Sequence, residues 1–343
     1  MRHALTTLQI LDTTSEFIFG EAMGALSKSH SCDEFMDAFA YAQKGTAIRA
    51  TLRALKFLHR DKRWWEACKH ITDFVDTHID RALKQSDGRE TDPDTKDEQR
   101  LRLLDEMARE TQDRLTLRSM AINVFSPAHD GAAVALSNSI FHIARNPSIW
   151  AKLRKEIDVD TDRELTYDVL NSYKYLSWVL RESTSFHISL AFDMVKIADF
   201  FAKAHRLTPI VTLTQRMCLE PTILPFGGGL EGKDPLYIPK GSLVELNYRA
   251  MCRDASFWGP NVDSFVPERW EHIRPGWEYT PFGGGPRVCP GQRLVFVESA
   301  YVLVMLLRRF KEVENRDPES EWKEEMRMTF QSKNGCLVGL IPE

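Results

Sequence analysis

The sequence predicts a mainly α-helical fold with a small β region, on three observations. Up to about residue 208, apolar residues recur at three- and four-residue spacing, the period of helices that bury one face. From Pro209 onward the chain shortens into β-rich runs broken by Gly and Pro, the punctuation of strands and turns. Near the end, a glycine-rich loop leads directly into a long apolar helical pattern.

The segments "DEFMDAFAYAQKGTAIRATLRALKFL" and "WWEACKHITDFVDTHIDRALKQ" read as helices, and so does Leu117 to Ala144. The polar stretch "QSDGRETDPDTKDEQR" between them has Pro93 and no apolar period, so it reads as an exposed loop. "NPSIWAKLRKEI" starts a further helix, with Asn146 as its expected cap and Pro147 at its first position. "IVTLTQRM", "TILPFGGG" and "PLYIPKGSLVELNY" read as strands. A last helix spans about Gly291 to Phe310, and the tail predicts a hairpin turning at Lys333–Gly335. The 343 residues, 43% of them hydrophobic, can bury one large core. A single domain is expected, helix-rich over 1–208 and β-rich over 209–343.

A net charge of -4 gives no electrostatic case for nucleic-acid binding. Six scattered cysteines without a CxxC pair argue against a zinc site or a disulfide framework, and for a reducing compartment. The longest apolar run, "YVLVMLL", is too short to cross a bilayer. The expected location is therefore cytoplasmic or peripheral.

The loop "FGGGPRVCPG", residues 282 to 291, carries the most specific chemistry. A thiolate at Cys289 is a soft ligand for iron, zinc or copper(I). Gly283, Gly284, Gly285 and Gly291 remove side chains where a large flat group would approach. Arg287 is placed to hold an anionic group, and a helix start behind Cys289 favours a thiolate. The pattern Phe282-x-x-Gly285-x-Arg287-x-Cys289-x-Gly291 sets five residues in ten positions, so a merely buried free cysteine is the poorer reading.

This loop resembles the haem-binding loop of the cytochrome P450 family, the haem-thiolate monooxygenases. The resemblance implies that Cys289 is the axial ligand of haem iron. It also implies a haem propionate contact by Arg287, with Phe282, Gly283 and Gly291 against the cofactor. "FVPERW" is similar to the family's Pro-Glu-Arg-Phe segment, with Arg269 as its structural arginine. "LTQRMC" is similar to the strand whose arginine, here Arg216, contacts a propionate. The stretch from "AMCRDASFWG" into the loop looks most like the fungal alkane and fatty-acid hydroxylases. Implied with these are an NADPH-dependent reductase as partner, an apolar substrate such as an alkane, fatty acid or secondary metabolite, and a family habit of anchoring to the endoplasmic reticulum.

Three departures stand beside the resemblance. The family's Glu-x-x-Arg pair is interrupted: three residues after Glu182 stands Ser185, and removing residues 185–205 would restore Glu182-x-x-Arg206. That segment is expected to be an insertion. On the helix resembling the one that covers the haem, Asp130 matches the acidic residue of proton delivery and Gly131 stands where the family has threonine. His129 is the other candidate there, against the alternative of a core histidine. Finally, the start of the chain resembles a segment well inside the family's usual length. The expectation is a fold lacking its N-terminal part, and weak or no haem binding by the chain as it stands. The alternative to a working monooxygenase is an inactive truncated or mis-spliced family member.

Overall fold

The computed structural model describes residues 5–27, 30–86, 102–157, 163–183, 206–319, 321–326 and 329–343. The expected insertion over 185–205 and nearly all of the polar stretch after Gln85 lie outside these described residues. The chain is mainly helical with small antiparallel sheets. It packs as two compact units, Met1–Tyr173 with Gly291–Glu343, and Lys174–Pro290.

The first unit contains α1 (Leu5–Phe19), α2 (His30–Leu52), a 3-10 turn (Arg53–Leu58), α3 (Lys62–Ser86) and α4 (Leu103–Glu110). The long α5 (Arg114–Ala144) follows, then α6 (Pro147–Ile157) and α7 (Tyr167–Ser172). Asp113 starts α5 by accepting the backbone N–H groups of Leu115 at 3.4 Å and Thr116 at 3.1 Å, which satisfies two donors that have no partner inside the helix. Pro127 sits inside α5, where its missing N–H removes one rung of the helix. The core gathers Phe19, Phe35, Phe39, Ile79, Leu117 and Phe125 from four helices. Phe125 is its hub, with ring centroids 5.4 Å from Phe19 and 5.9 Å from Phe35.

Asn146 does not cap α6 as expected through its side chain. Its amide instead donates to the carbonyl of His142 at 2.7 Å, closing the end of α5.

The second unit begins with α8 (Lys174–Ser183). β1 (Leu213–Met217) pairs antiparallel with β4 (Leu243–Asn247), setting Arg216 opposite Val244. β2 (Thr222–Gly228) pairs with β3 (Asp234–Ile238). Two short helices follow, α9 (Tyr248–Met251) and α10 (Ala255–Trp258), and then the 3-10 turn Pro267–Glu271. The core of this unit is aromatic: Trp178, Trp258, Trp270 and Tyr279, with Cys252.

In the first unit again, α11 (Gln292–Arg309) runs into β5 (Phe310–Asn315). β6 (Glu324–Met326) pairs with β7 (Phe330–Ser332), and β8 (Val338–Pro342) pairs with β5. The turn expected at Lys333–Gly335 forms, with Gly335 N–H donating to Ser332 at 3.1 Å. The strands on its two sides do not pair with each other. β8 finds a longer ladder on β5 than three-residue β7 could offer.

Candidate functional site

Cys289 lies two residues after Arg287, behind a short 3-10 turn over Gly285–Arg287. The loop closes on itself: Cys289 N–H donates to the Phe282 carbonyl at 3.0 Å, and Gly283 N–H donates to Thr280 at 2.8 Å. Gly283 and Gly285 adopt φ of 75° and 68°, which side chains with a Cβ resist. Gly284 is glycine for another reason. A Cβ there would come 2.5 Å from the Trp277 ring. Gly291, with φ of -83°, is the N-cap of α11 and is not in the left-handed region.

Two cations flank this loop in the sequence and the strand before it. Arg287 is exposed and makes no ion pair among the described residues. Arg216 is exposed on β1, where its Nη1 donates to Thr214 Oγ1 and the Gln215 carbonyl, both at 2.9 Å. Tyr248 joins the two pieces. Its buried ring carries a hydroxyl 3.8 Å from where a Gly283 Cβ would stand. Burial raises its pKa, while the charge of Arg216 and a hydrogen bond with Thr214 lower it. Sequence reasoning missed Tyr248 and Trp277. Neither stands in the motif; the only signal was their aromatic character beside the strand and the loop.

The fit of a haem to these residues can be tested on the donor set. Among the described residues no group of three or more His, Cys, Asp or Glu gathers as a metal site. A lone thiolate suffices for a metal that arrives already held by a macrocycle, and for little else. A Cβ on Gly285 would meet nothing within 4 Å, so the loop is open on that side, and Arg216 and Arg287 can meet carboxylates. The residues of this unit fit haem.

The structure also brings together Glu182, Arg206 and Arg269. Glu182 and Arg206 are fully buried and Arg269 is 8% exposed. Arg206 donates to Glu182 through Nη2 at 2.8 Å and Nε at 3.2 Å, and Arg269 Nε donates at 2.9 Å. Trp270 Nε1 and the Val266 amide, each at 3.0 Å, complete the carboxylate. The remaining guanidinium N–H groups reach carbonyls of Trp258, Asn261, Val262 and Ser264. Trp270 was not foreseen, although it is the last letter of "FVPERW".

In the other unit, His129 and Asp130 stand next to each other on α5 and meet different surroundings. The His129 ring is buried, stacked on Phe125 at 5.0 Å and edge-on to Phe39 at 4.9 Å. Its Nδ1 lies 3.0 Å from the Phe125 carbonyl, which can only accept, so Nδ1 carries the hydrogen in the neutral ring. Burial lowers its pKa. Asp130 Oδ2 accepts from Thr329 Oγ1 at 2.9 Å. Both line a cavity of 260 Å³ together with Gln43, Asn138 and Lys333. A Cβ at Gly131 would meet nothing within 4 Å.

Comparison with known proteins agrees with this reading. The family model described as Cytochrome P450 matches residues 3–191 and 204–337. The chain is 38% identical over 314 residues to the cytochrome P450 monooxygenase iliC of Hypocrea jecorina, covering 90% of this chain and 65% of that one. It is 34% identical over 339 residues to apdE of Emericella nidulans, covering 97% and 60%. It is 33% identical over 331 residues to tenA of Beauveria bassiana, covering 96% and 61%. All three are fungal cytochrome P450 monooxygenases, and the chain spans about three-fifths of their length.

Proposed function

The chain belongs to the cytochrome P450 family, and from that premise we propose that it serves a haem-dependent monooxygenase. Its substrate is an apolar small molecule, an alkane, a fatty acid or a secondary metabolite, and its electrons come from an NADPH-dependent reductase. The observation that carries this is the Phe282–Gly291 loop, folded around Cys289 with two left-handed glycines and bordered by Tyr248. When bound, iron protoporphyrin supplies the oxygen chemistry.

The chain's own residues do the rest. Cys289 presents its sulfur from a loop braced by its own backbone hydrogen bond to Phe282. Arg216 and Arg287 are the cations for the propionates. Asp130, oriented by Thr329 Oγ1, is the group to hold or move a proton. His129 contributes only through Nε2, since Nδ1 is committed to Phe125. Glu182, Arg206 and Arg269 keep the unit that carries the loop in shape. Binding at a membrane surface or work in the aqueous phase both accord with the described residues, in which no helix is long and apolar enough to cross a membrane.

A second reading, an inactive family member, is favoured by Gly131. It offers no hydroxyl where the family's threonine would stand. Two measurements separate the readings. Cys289→Ala should abolish the thiolate-type spectrum of the reduced carbon-monoxide complex; an unchanged spectrum would overturn the ligand assignment. Reductase-dependent hydroxylation by protein with the normal spectrum supports the monooxygenase, and its absence supports the inactive member.

A further inference from the structure

The helix faces around the 260 Å³ cavity of the first unit are polar in places where a core face would be apolar. Met36, Phe39 and Gln43 recur at three- and four-residue spacing and so share one face of α2. Asp130, Val134 and Asn138 do the same on α5, and β6 adds Glu325. Every lining residue belongs to the first unit, and none to the loop around Cys289.

The lining is rich in hydrogen-bond acceptors. His129 is 2% exposed, and its Nδ1–H is given to the Phe125 carbonyl at 3.0 Å. Nε2 is then a lone-pair acceptor, without a partner among the described residues. Asp130 accepts from Thr329 Oγ1 at 2.9 Å and forms no ion pair among the described residues. Glu325 accepts from Gln331 Nε2 at 3.3 Å. A carboxylate has room for about four donors, so both acids keep capacity. They are half-buried, whereas Lys333, the lysine of the lining, is exposed.

These features select among occupants by chemistry. A metal ion is disfavoured, since no three His, Cys, Asp or Glu gather as a metal site among the described residues. A saturated hydrocarbon would leave His129 Nε2 and Asp130 facing carbon, without donors. A carboxylate ligand would bring a further negative charge beside Asp130 and Glu325. An ammonium group carries three N–H donors and the opposite charge. Met36, Phe39 and Val134 offer carbon to the body behind it.

We propose that this cavity binds a small molecule carrying a protonated amine on a hydrocarbon body, with Asp130, Glu325 and His129 Nε2 receiving its N–H groups. Such binding goes beyond the monooxygenase reading and needs neither haem nor turnover.

The test is titration calorimetry of the purified full chain at neutral pH with 2-phenylethylamine, 2-phenylethanol and phenylacetate, whose bodies are alike and whose heads differ in charge. The amine should bind at a single site, and the alcohol and the acid at least about tenfold more weakly. Asp130→Asn and Glu325→Gln should each weaken amine binding about tenfold. Asparagine can still accept from Thr329, and Glu325→Gln tests the second carboxylate independently should the first variant unfold. His129→Phe, which keeps the ring on Phe125, should weaken binding about threefold. The proposal fails if the alcohol binds as tightly as the amine, or if no saturable amine binding occurs and water alone fills the cavity. It fails also if both carboxylate variants bind like the unaltered chain. An amine-induced shift of the haem Soret band that survives both substitutions would overturn it too, since the nitrogen would then sit on iron.

Discussion

In the unit Lys174–Pro290, the fully buried carboxylate of Glu182 is met by two guanidiniums, an indole N–H and a backbone amide. In the other unit His78 and His129 are buried and Glu298 is half-buried, and the carboxylate beside His78, Glu21 at 3.4 Å, is itself exposed. The outcomes differ accordingly. His78 is stacked on Phe19 at 4.7 Å, and its pKa falls from 6.5 to about 4 because of burial. Burial raises Glu298 from 4.5 to about 7, against a hydrogen bond from Thr13 Oγ1 at 3.1 Å. Its Oε2 is buried with no hydrogen-bond partner among the described residues. A charge removed from water is retained only where partners replace the water; elsewhere the group shifts toward its neutral form. Arg181, one residue before Glu182, is an intermediate case. Burial lowers it to about 10, and it still carries its charge at neutral pH.

The largest expected effect breaks the paired case. Glu182→Ala leaves two buried guanidiniums facing each other without a carboxylate, and should cost about 3–5 kcal/mol of stability. Denaturant unfolding would measure it, and a cost under about 1 kcal/mol would mean the pair contributes little beyond packing. Arg269→Lys is the next step down. Lysine keeps the charge but not the fork that reaches Glu182, Trp258, Asn261 and Ser264, so about 2 kcal/mol should be lost. A neutral result would show that the charge alone holds the cluster.

These groups of the first unit predict how stability follows pH. A histidine lowered from 6.5 to about 4 contributes stability above pH 6.5, which is lost as pH falls toward 4. His129 acts in the same direction. A carboxyl raised from 4.5 to about 7 does the reverse: its contribution is complete below pH 4.5 and is lost as pH rises toward 7. Thermal unfolding between pH 4 and 7 should therefore show a steeper rise of stability with pH in Glu298→Gln. His78→Phe, which keeps a ring on Phe19, should show a shallower one. Identical profiles in both variants would place these groups in water. The smallest effect belongs to Gly131→Thr. A Cβ there meets no neighbour within 4 Å, so stability should change by less than about 0.5 kcal/mol. A large loss would show that the position is packed.

Much of the helical architecture could be read in advance because it repeats. The apolar stripes of α2 and α3 and the cluster of glycines before α11 are local patterns. They place elements without knowledge of what lies across from them. The Asn146 cap was misjudged for the opposite reason. Its side chain had two helix ends within reach, and only their relative placement gave the amide to His142. The tail shows the same limit. The turn at Lys333–Gly335 is a property of its own residues, whereas the partners of β7 and β8 are chosen by ladders that start far away in the chain.

The same division runs through the candidate site. Cys289, Gly283, Gly285 and Arg287 lie within a few residues of one another, so sequence alone determined their grouping and the cofactor chemistry they suit. That Glu182 and Arg206 meet across 24 positions follows the family spacing that the sequence restores without residues 185–205, whereas that Trp270 adds a donor to them, that Tyr248 stands between Arg216 and Gly283, and that Thr329 orients Asp130 were decided by tertiary structure. The physical reason is that spacing along the chain specifies which groups share a loop or a helix face. Which distant groups share a buried volume, and hence which charges keep a partner, follows only from how the elements pack.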